Sequence, residues 1–209
     1  RLLTQNGFRF IPNGIDVERF RYDPEGRAAV RKELGISGET LVVGNVGRLC
    51  YQKNQMFLLD VFAELVKKRP ESRLLLVGEG EDKKRLQARC ASLGIAEKVI
   101  FYGTTDHVER LLWAMDVFVF PSRFEGLGIA AIEAQAGGLP VICSENIPRE
   151  TYITSYLRVV PLREGPASWA TALLTKRDCH DSGQMDLVKE PGFNIMDTAR
   201  MLTKYFTKR

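Results

Sequence analysis

The chain has 209 residues, of which 44% are apolar and 27% charged, with a formal charge of +4. These proportions belong to a folded globular protein rather than a disordered one, and the length allows one or two domains. The charge is too small and too dispersed to point to nucleic acid, and no apolar run approaches the roughly 18 residues needed to span a bilayer.

No secretory leader is read at the start. The first residue is Arg1 rather than Met, which leads us to expect a segment of a longer protein. Cys50, Cys90, Cys143 and Cys179 lie tens of residues apart with no Cys-x-x-Cys pair. This spacing argues against a zinc site or a disulfide framework and suits a reducing, cytoplasmic setting. His107 and His180 are equally isolated, and there is no Asp-x-Asp, His-Glu-x-x-His or Walker A loop. No metal site is expected.

In chain order, Phe8 to Ile11 reads as a short strand broken by Pro12-Asn13-Gly14. A helix from about Glu25 stops at Gly35, and Leu41 to Val46 is an apolar run with strand character. Asn54 is placed to cap the next helix, whose buried face carries Leu58, Val61, Phe62 and Leu65, with Glu64 and Lys68 paired on the opposite side and Pro70 ending it. Further strands are expected at Leu74 to Val77, Val99 to Tyr102, Val117 to Phe120, Val141 to Cys143 and Leu157 to Pro161. Helices are expected at Glu81 to Leu93, Asp106 to Ala114, Ile129 to Ala136 and through Trp169 to Leu174.

Apolar strands alternating with amphipathic helices predict an α/β fold, a single doubly wound Rossmann-like parallel sheet covered on both faces. We expect one domain over residues 10–176 and a helical tail over 177–209. In the tail, Asp178 to Gly192 is polar, and a last helix starts at Asn194 with Asn194 and Asp197 as caps. Its apolar face (Ile195, Thr198, Ala199, Leu202, Tyr205, Phe206) must dock on this domain or on a neighbour. His107 is expected at a helix start facing solvent and His180 on the surface. Trp113, Trp169 and the cysteines are expected as packing residues.

Ligands of open α/β sheets bind beyond the carboxyl ends of the strands, and three loops there carry candidate residues. Gly47, Arg48 and Lys53 follow the first strand. The two cations suit a diphosphate clamp, or are simply solvated. Gly78-Glu79-Gly80 follows the second strand; lacking the third glycine of a dinucleotide fingerprint, it reads as a plain turn. The third loop runs from Pro121 through Glu125, Gly126, Leu127 and Gly128 into a helix holding Glu133 among Ala130, Ala131, Ala134 and Ala136. Free amides at that helix start favour an anion. A carboxylate among alanines needs a partner, either a sugar hydroxyl pair or an internal cap or salt bridge.

Arg48 and Lys53 followed by Glu125 and Glu133 resemble the donor-binding half of family-4 glycosyltransferases of GT-B fold. So do Ile11 to Asp16, Asp116 to Ser122, Glu125 to Gly128, Ile132 to Ala134 and Gly138 to Val141. Val46-Gly47-Arg48 and Gln52-Lys53-Asn54 most resemble the capsule and exopolysaccharide branch. The resemblance implies a retaining transferase using a nucleotide-diphosphate sugar, a UDP-sugar ahead of GDP- or ADP-sugars, with no metal or other cofactor. It implies that Arg48 and Lys53 hold the diphosphate and Glu125 the sugar hydroxyls. Gly126, Leu127 and Gly128 would offer amides, Glu133 would take the ribose hydroxyls, and Gly47, Gly78, Glu79 and the loop Gly103, Thr104, Thr105 would flank the nucleoside.

It further implies a carbohydrate or lipid-linked acceptor and a missing N-terminal acceptor domain, to which the last helix returns. The full protein would lie at the inner membrane face, and this piece alone would be inactive. A non-catalytic nucleotide-sugar-binding module is the alternative, and an oxidoreductase dinucleotide domain is disfavoured by the incomplete glycine fingerprint.

Overall fold

The structure is a computed structural model that describes residues 13–176, 180, 187–188 and 192–207. The strand expected at Phe8 to Ile11 lies outside these residues, as does most of Asp178 to Gly192. Six strands form one parallel sheet: β1 (Leu41–Val46), β2 (Ser72–Val77), β3 (Val99–Gly103), β4 (Val117–Phe120), β5 (Val141–Cys143) and β6 (Leu157–Val159). Their spatial order is β3-β2-β1-β4-β5-β6, the doubly wound order that reverses between β1 and β4. The helices are α1 (Pro24–Glu33), α2 (Gln55–Lys68), α3 (Lys83–Ser92), α4 (Val108–Ala114), α5 (Ile129–Ala136), α6 (Gly165–Leu174) and α7 (Ile195–Thr207).

Alternating side chains of each strand enter two separate cores. Val42, Leu75, Phe118 and Val141 face α1, α4 and α5. Val43, Leu74, Leu76, Val119 and Ile142 face α2, α3 and α6, together with Phe62 and Trp169. This is why the strands read as continuous apolar runs: both faces are covered. Complete burial of each such side chain contributes about 1.5–3 kcal/mol, and Phe62, Phe118 and Trp169 are fully buried.

Local chemistry sets the helix ends. Asp23 caps α1 through the Glu25 amide, Pro24 occupies the first turn, and Gly35 follows in the left-handed region at φ +64°. α3 and α4 start two residues later than expected, at Lys83 and Val108. Asn54 sits at the start of α2, but its side chain does not cap the helix; it donates instead to the Pro121 carbonyl at 3.1 Å. Glu64 pairs with Lys67 rather than Lys68, whose ammonium reaches Thr171. Asn194 caps α7 through the Met196 amide, while Asp197 turns to Arg200.

α7 is tied to the domain at its first turn. The Ile15 amide donates to Phe193 and the Ile195 amide to Ile15. Its Ile195, Met196 and Phe206 side chains are exposed, Phe206 to 72%; the Tyr205 side chain lies outside the described set.

His180 is not a surface residue. It stacks on Tyr22 at 3.9 Å and is held between α1 and the Gly137-Gly138 turn. Its Nδ1 lies 3.1 Å from the Gly137 carbonyl, and its Nε2 lies 3.0 Å from the Met115 carbonyl and 3.2 Å from Arg27. Burial pushes its pKa down to about 4. Sequence reasoning missed it because its partners lie in distant segments. Trp113 is half-buried, its indole donating to the Arg21 carbonyl. Cys50, Cys90 and Cys143 are buried free thiols.

Candidate functional site

β1 and β4 pair only at Val43 and Gly44 and then part. The opening is bridged by buried amide side chains. Asn45 Nδ2 donates to the Val119 carbonyl at 2.8 Å. Gln55 Nε2 donates to Asn45 Oδ1 and to the Arg48 carbonyl. With Asn54 on Pro121, these bonds fix the loop after β1 against the loop after β4. Sequence reasoning did not assign this network; its one signal is an asparagine inside the apolar run of β1.

Two charged groups expected in the site meet across the junction. Lys53 Nζ donates to Glu125 Oε1 at 2.8 Å, with the Lys53 side chain 18% and the Glu125 side chain 6% exposed. Lys53 also lies over the Phe120 ring, and the Gln52 amide donates to the Phe124 carbonyl. These partners fix Glu125 in its turn. Arg48 does not join them. Its side chain is 72% exposed and pairs with Glu81 on the rim; an exposed pair of this kind is worth about 0–1 kcal/mol.

Gly128 starts α5 at φ +78°, a conformation that suits glycine. Among the described residues, the amides of Gly126, Leu127, Gly128, Ile129 and Ala130 have no acceptor. They border a cleft of about 830 Å³ that is also lined by Asn13, Lys53 and Glu125. Unsatisfied amides at a helix start present positive potential to an anion.

Glu133 follows on α5, its side chain largely buried and without a hydrogen bond among the described residues. Among the described residues, the internal cap or salt bridge open to it from sequence is not formed. Burial drives its pKa from 4.5 up to about 7; Arg19 opposes this rise and Glu109 adds to it.

The remaining expected residues lie at and just beyond the ends of β1, β2 and β3. Gly47 and Gly78 pack backbone to backbone: a Cβ on Gly78 would lie 2.2 Å from the Gly47 oxygen, and Gly78 has φ +133°. The Gly78 amide donates to Gly103, joining the ends of β1, β2 and β3. Glu79 pairs with Lys83 at 2.7 Å. Thr105 accepts from the His107 amide, and Thr104 is exposed. His107 starts α4 and faces solvent, with Nδ1 3.1 Å from Glu109. Among the described residues, no three His, Cys, Asp or Glu side chains gather as metal ligands, and no helix is long and apolar enough to cross a membrane.

Comparison with known proteins extends this picture. The family model described as glycosyl transferases group 1 matches residues 26–158. The putative glycosyltransferase EpsF of Bacillus subtilis is 37% identical over 139 residues, which is 66% of this chain and 36% of EpsF. The GDP-mannose-dependent monoacylated alpha-(1-6)-phosphatidylinositol monomannoside mannosyltransferase of Corynebacterium glutamicum is 36% identical over 149 residues, 66% of this chain and 39% of that enzyme. This chain therefore spans little more than a third of the curated relatives it matches.

Among solved structures, Anabaena Alr3699/HepE in complex with UDP and glucose superposes with a TM-score of 0.82 at 21% identity, over 96% of this chain and 57% of that one. That likeness supports the fold, a Rossmann-like sheet of the kind found in GT-B glycosyltransferases. With the family model covering well over half of its length, the chain belongs to the group 1 glycosyl transferases.

Proposed function

We propose that the chain is the donor-binding half of a retaining glycosyltransferase that takes a nucleotide-diphosphate sugar and transfers the sugar to a carbohydrate or lipid-linked acceptor. The observation that carries this reading is the convergence at the strand-order reversal. The Lys53–Glu125 pair and the open amides at the start of α5 line one cleft, and Glu133 follows on the same helix. A diphosphate would sit between Lys53, Arg48 and the helix start. Glu125 would take sugar hydroxyls and Glu133 the ribose pair, since each carboxylate accepts from hydroxyl donors. Gly47, Gly78, Glu79, Gly103, Thr104 and Thr105 would flank the nucleoside. As the glycosidic bond breaks, fixed cations and helix amides stabilise the charge growing on the leaving diphosphate.

The reading is supported by the relatives, one described as GDP-mannose-dependent and a structural neighbour solved with UDP. A UDP-sugar is the proposed donor. Residues 10–176 form the donor domain in this reading. The exposed face of α7, in the tail 177–209, would be covered by an N-terminal acceptor domain, so the chain alone binds nucleotide without transferring sugar. A polymer-forming role of the capsule or exopolysaccharide type, at the inner membrane face, follows the resemblance of the Arg48 and Lys53 segments.

Calorimetric titration with UDP, GDP and ADP, on the parent chain and on Arg48→Ala and Glu133→Ala, tests the site. Selective binding of UDP, weakened about 10- to 150-fold by either change, is the expected result. Nucleotide binding that survives both changes would overturn the assignment.

A further inference from the structure

The turn that opens α5 is braced by a segment outside the proposed donor contacts. Thr151 closes the 3-10 turn Arg149–Thr151 and is fully buried. Its hydroxyl donates to the Leu127 carbonyl at 2.5 Å. It also lies beside Gly128, where a Cβ would come 3.6 Å from the Thr151 hydroxyl oxygen. Pro148 and Glu150, from the same stretch, line the cleft together with Gly126, Leu127 and Gly128.

Thr151 is itself held from α5. Gln135, fully buried, donates through Nε2 to the Thr151 carbonyl at 2.8 Å and to the Ala131 carbonyl at 3.0 Å. Its Oε1 accepts from the Thr154 amide at 3.0 Å, the Thr154 hydroxyl at 3.1 Å and the Ile153 amide at 3.3 Å. The brace is closed: α5 holds residues 151–154 through Gln135, and they hold the entry to α5 through Thr151. A buried polar network with its bonds made fixes one arrangement.

The bond to Leu127 has a directional consequence. No peptide among the described residues is cis, and in a planar trans peptide the carbonyl and the following N–H point in opposite directions. Anchoring the Leu127 oxygen on buried Thr151 therefore directs the Gly128 N–H away from Thr151. That N–H has no acceptor among the described residues. If the peptide turned over, its carbonyl would repel the anion that its amide attracts. Resting on the donor-site reading, we propose that Thr151, locked by Gln135, is a positioning residue that holds the Leu127–Gly128 peptide with its N–H offered to the diphosphate of the donor. Pro148 and Glu150 ride on the same brace, so this wall of the cleft and the amides keep one geometry.

The test separates the diphosphate from the nucleoside. UDP, GDP and ADP are titrated calorimetrically into the parent, Thr151→Val and Thr151→Ser, and the nucleoside of the one that binds is titrated by amide NMR. Thr151→Val keeps the shape of the side chain and removes the hydroxyl; Thr151→Ser keeps the hydroxyl. The nucleotide is expected to bind about tenfold more weakly to Thr151→Val and within about threefold of the parent to Thr151→Ser. Nucleoside affinity is expected to be unchanged in both. The Gly128 amide signal of the parent is expected to move with the nucleotide and not with the nucleoside.

A merely structural role would weaken nucleotide and nucleoside alike or leave both intact. Either result in folded Thr151→Val, with nucleotide binding by the parent that Glu133→Ala weakens, would overturn this inference and leave the donor site standing. Failure of the parent to bind UDP, GDP or ADP would overturn the donor-site reading and, with it, the role given to Thr151. Should Thr151→Val fail to fold, Thr151→Cys, whose thiol is a weak donor, carries the same comparison.

Discussion

A buried carboxylate with no hydrogen bond costs stability, and the cost at Glu133 depends on pH in a direction that the structure fixes. Its carboxyl titrates near 4.5 in an unfolded chain and near 7 in the folded one, chiefly because burial penalises the charged form. Between those values the folded state holds a proton that the unfolded state has released, so stability falls as pH rises from about 4.5 to about 7, and the loss is complete above that range. The gap, at about 1.4 kcal/mol per pH unit, sets a ceiling of about 3 kcal/mol. Glu133→Gln keeps the shape of the side chain and removes its charge. We expect the variant to be more stable than the parent by about 1–3 kcal/mol near pH 8 and indistinguishable near pH 4, while losing nucleotide affinity. Urea unfolding followed by tryptophan fluorescence, in both proteins at both pH values, measures the difference. Equal differences at the two pH values would refute the argument, because a packing effect does not titrate.

Other expectations follow from the same contacts. Lys53→Met leaves Glu125, 6% exposed, without its cation; it should cost about 2–4 kcal/mol, and adding Glu125→Gln should recover at least about 1 kcal/mol of that in a double-mutant cycle by urea unfolding. Gly78→Ala combines a φ of +133° with a Cβ 2.2 Å from the Gly47 oxygen; thermal unfolding should report a loss of about 3 kcal/mol or more. At Asp116 burial alone would raise the pKa, but the Val42 amide, Arg27 and Arg31 outweigh it and hold the carboxyl below its ordinary 3.8. Asp116→Ala should therefore cost about 3 kcal/mol near neutral pH. Because a depressed pKa gives stability that is lost as pH falls, the parent's advantage should shrink below about pH 4 in urea unfolding.

The sheet was legible in the sequence because its signal is local. Val117 to Phe120 and Val141 to Cys143 are apolar runs bounded by turns, and burial on both faces leaves no polar interruption to confuse the period. The loops carrying Lys53 and Glu125, and the helix after the second of them that carries Glu133, were picked out because ligands of parallel sheets bind beyond the strand ends. What stayed hidden depends on contacts between distant segments. Arg19 meets Glu109 across 90 positions and Arg27 meets His180 across 153. Neither pairing leaves a periodic trace, so His180 read as surface. Asn54 read as a cap because its residue type and place suited one; only the splay of β1 from β4 gives its amide a better acceptor at Pro121. The orientation of Arg48 was hidden for the opposite reason: an exposed side chain has several partners within reach, and Glu81 is on the rim.

The two cations proposed to hold a diphosphate both rest against carboxylates, yet the pairs are not equivalent. Arg48–Glu81 lies in solvent, where exchange of one anion for another costs little. Lys53–Glu125 is shielded, and there Lys53 neutralises a carboxylate that would otherwise be buried alone. A diphosphate that drew Lys53 fully away would leave Glu125 uncompensated. In the proposed site it would bind best with Lys53 keeping Glu125 and offering its remaining donors to the phosphate, since an ammonium has three. Arg48 would then be the arm that moves and Lys53 the fixed post, on a loop held by the amide network of Asn45, Asn54 and Gln55. In this arrangement Glu125 would keep its Lys53 partner beside the proposed sugar position, whether or not the diphosphate is present.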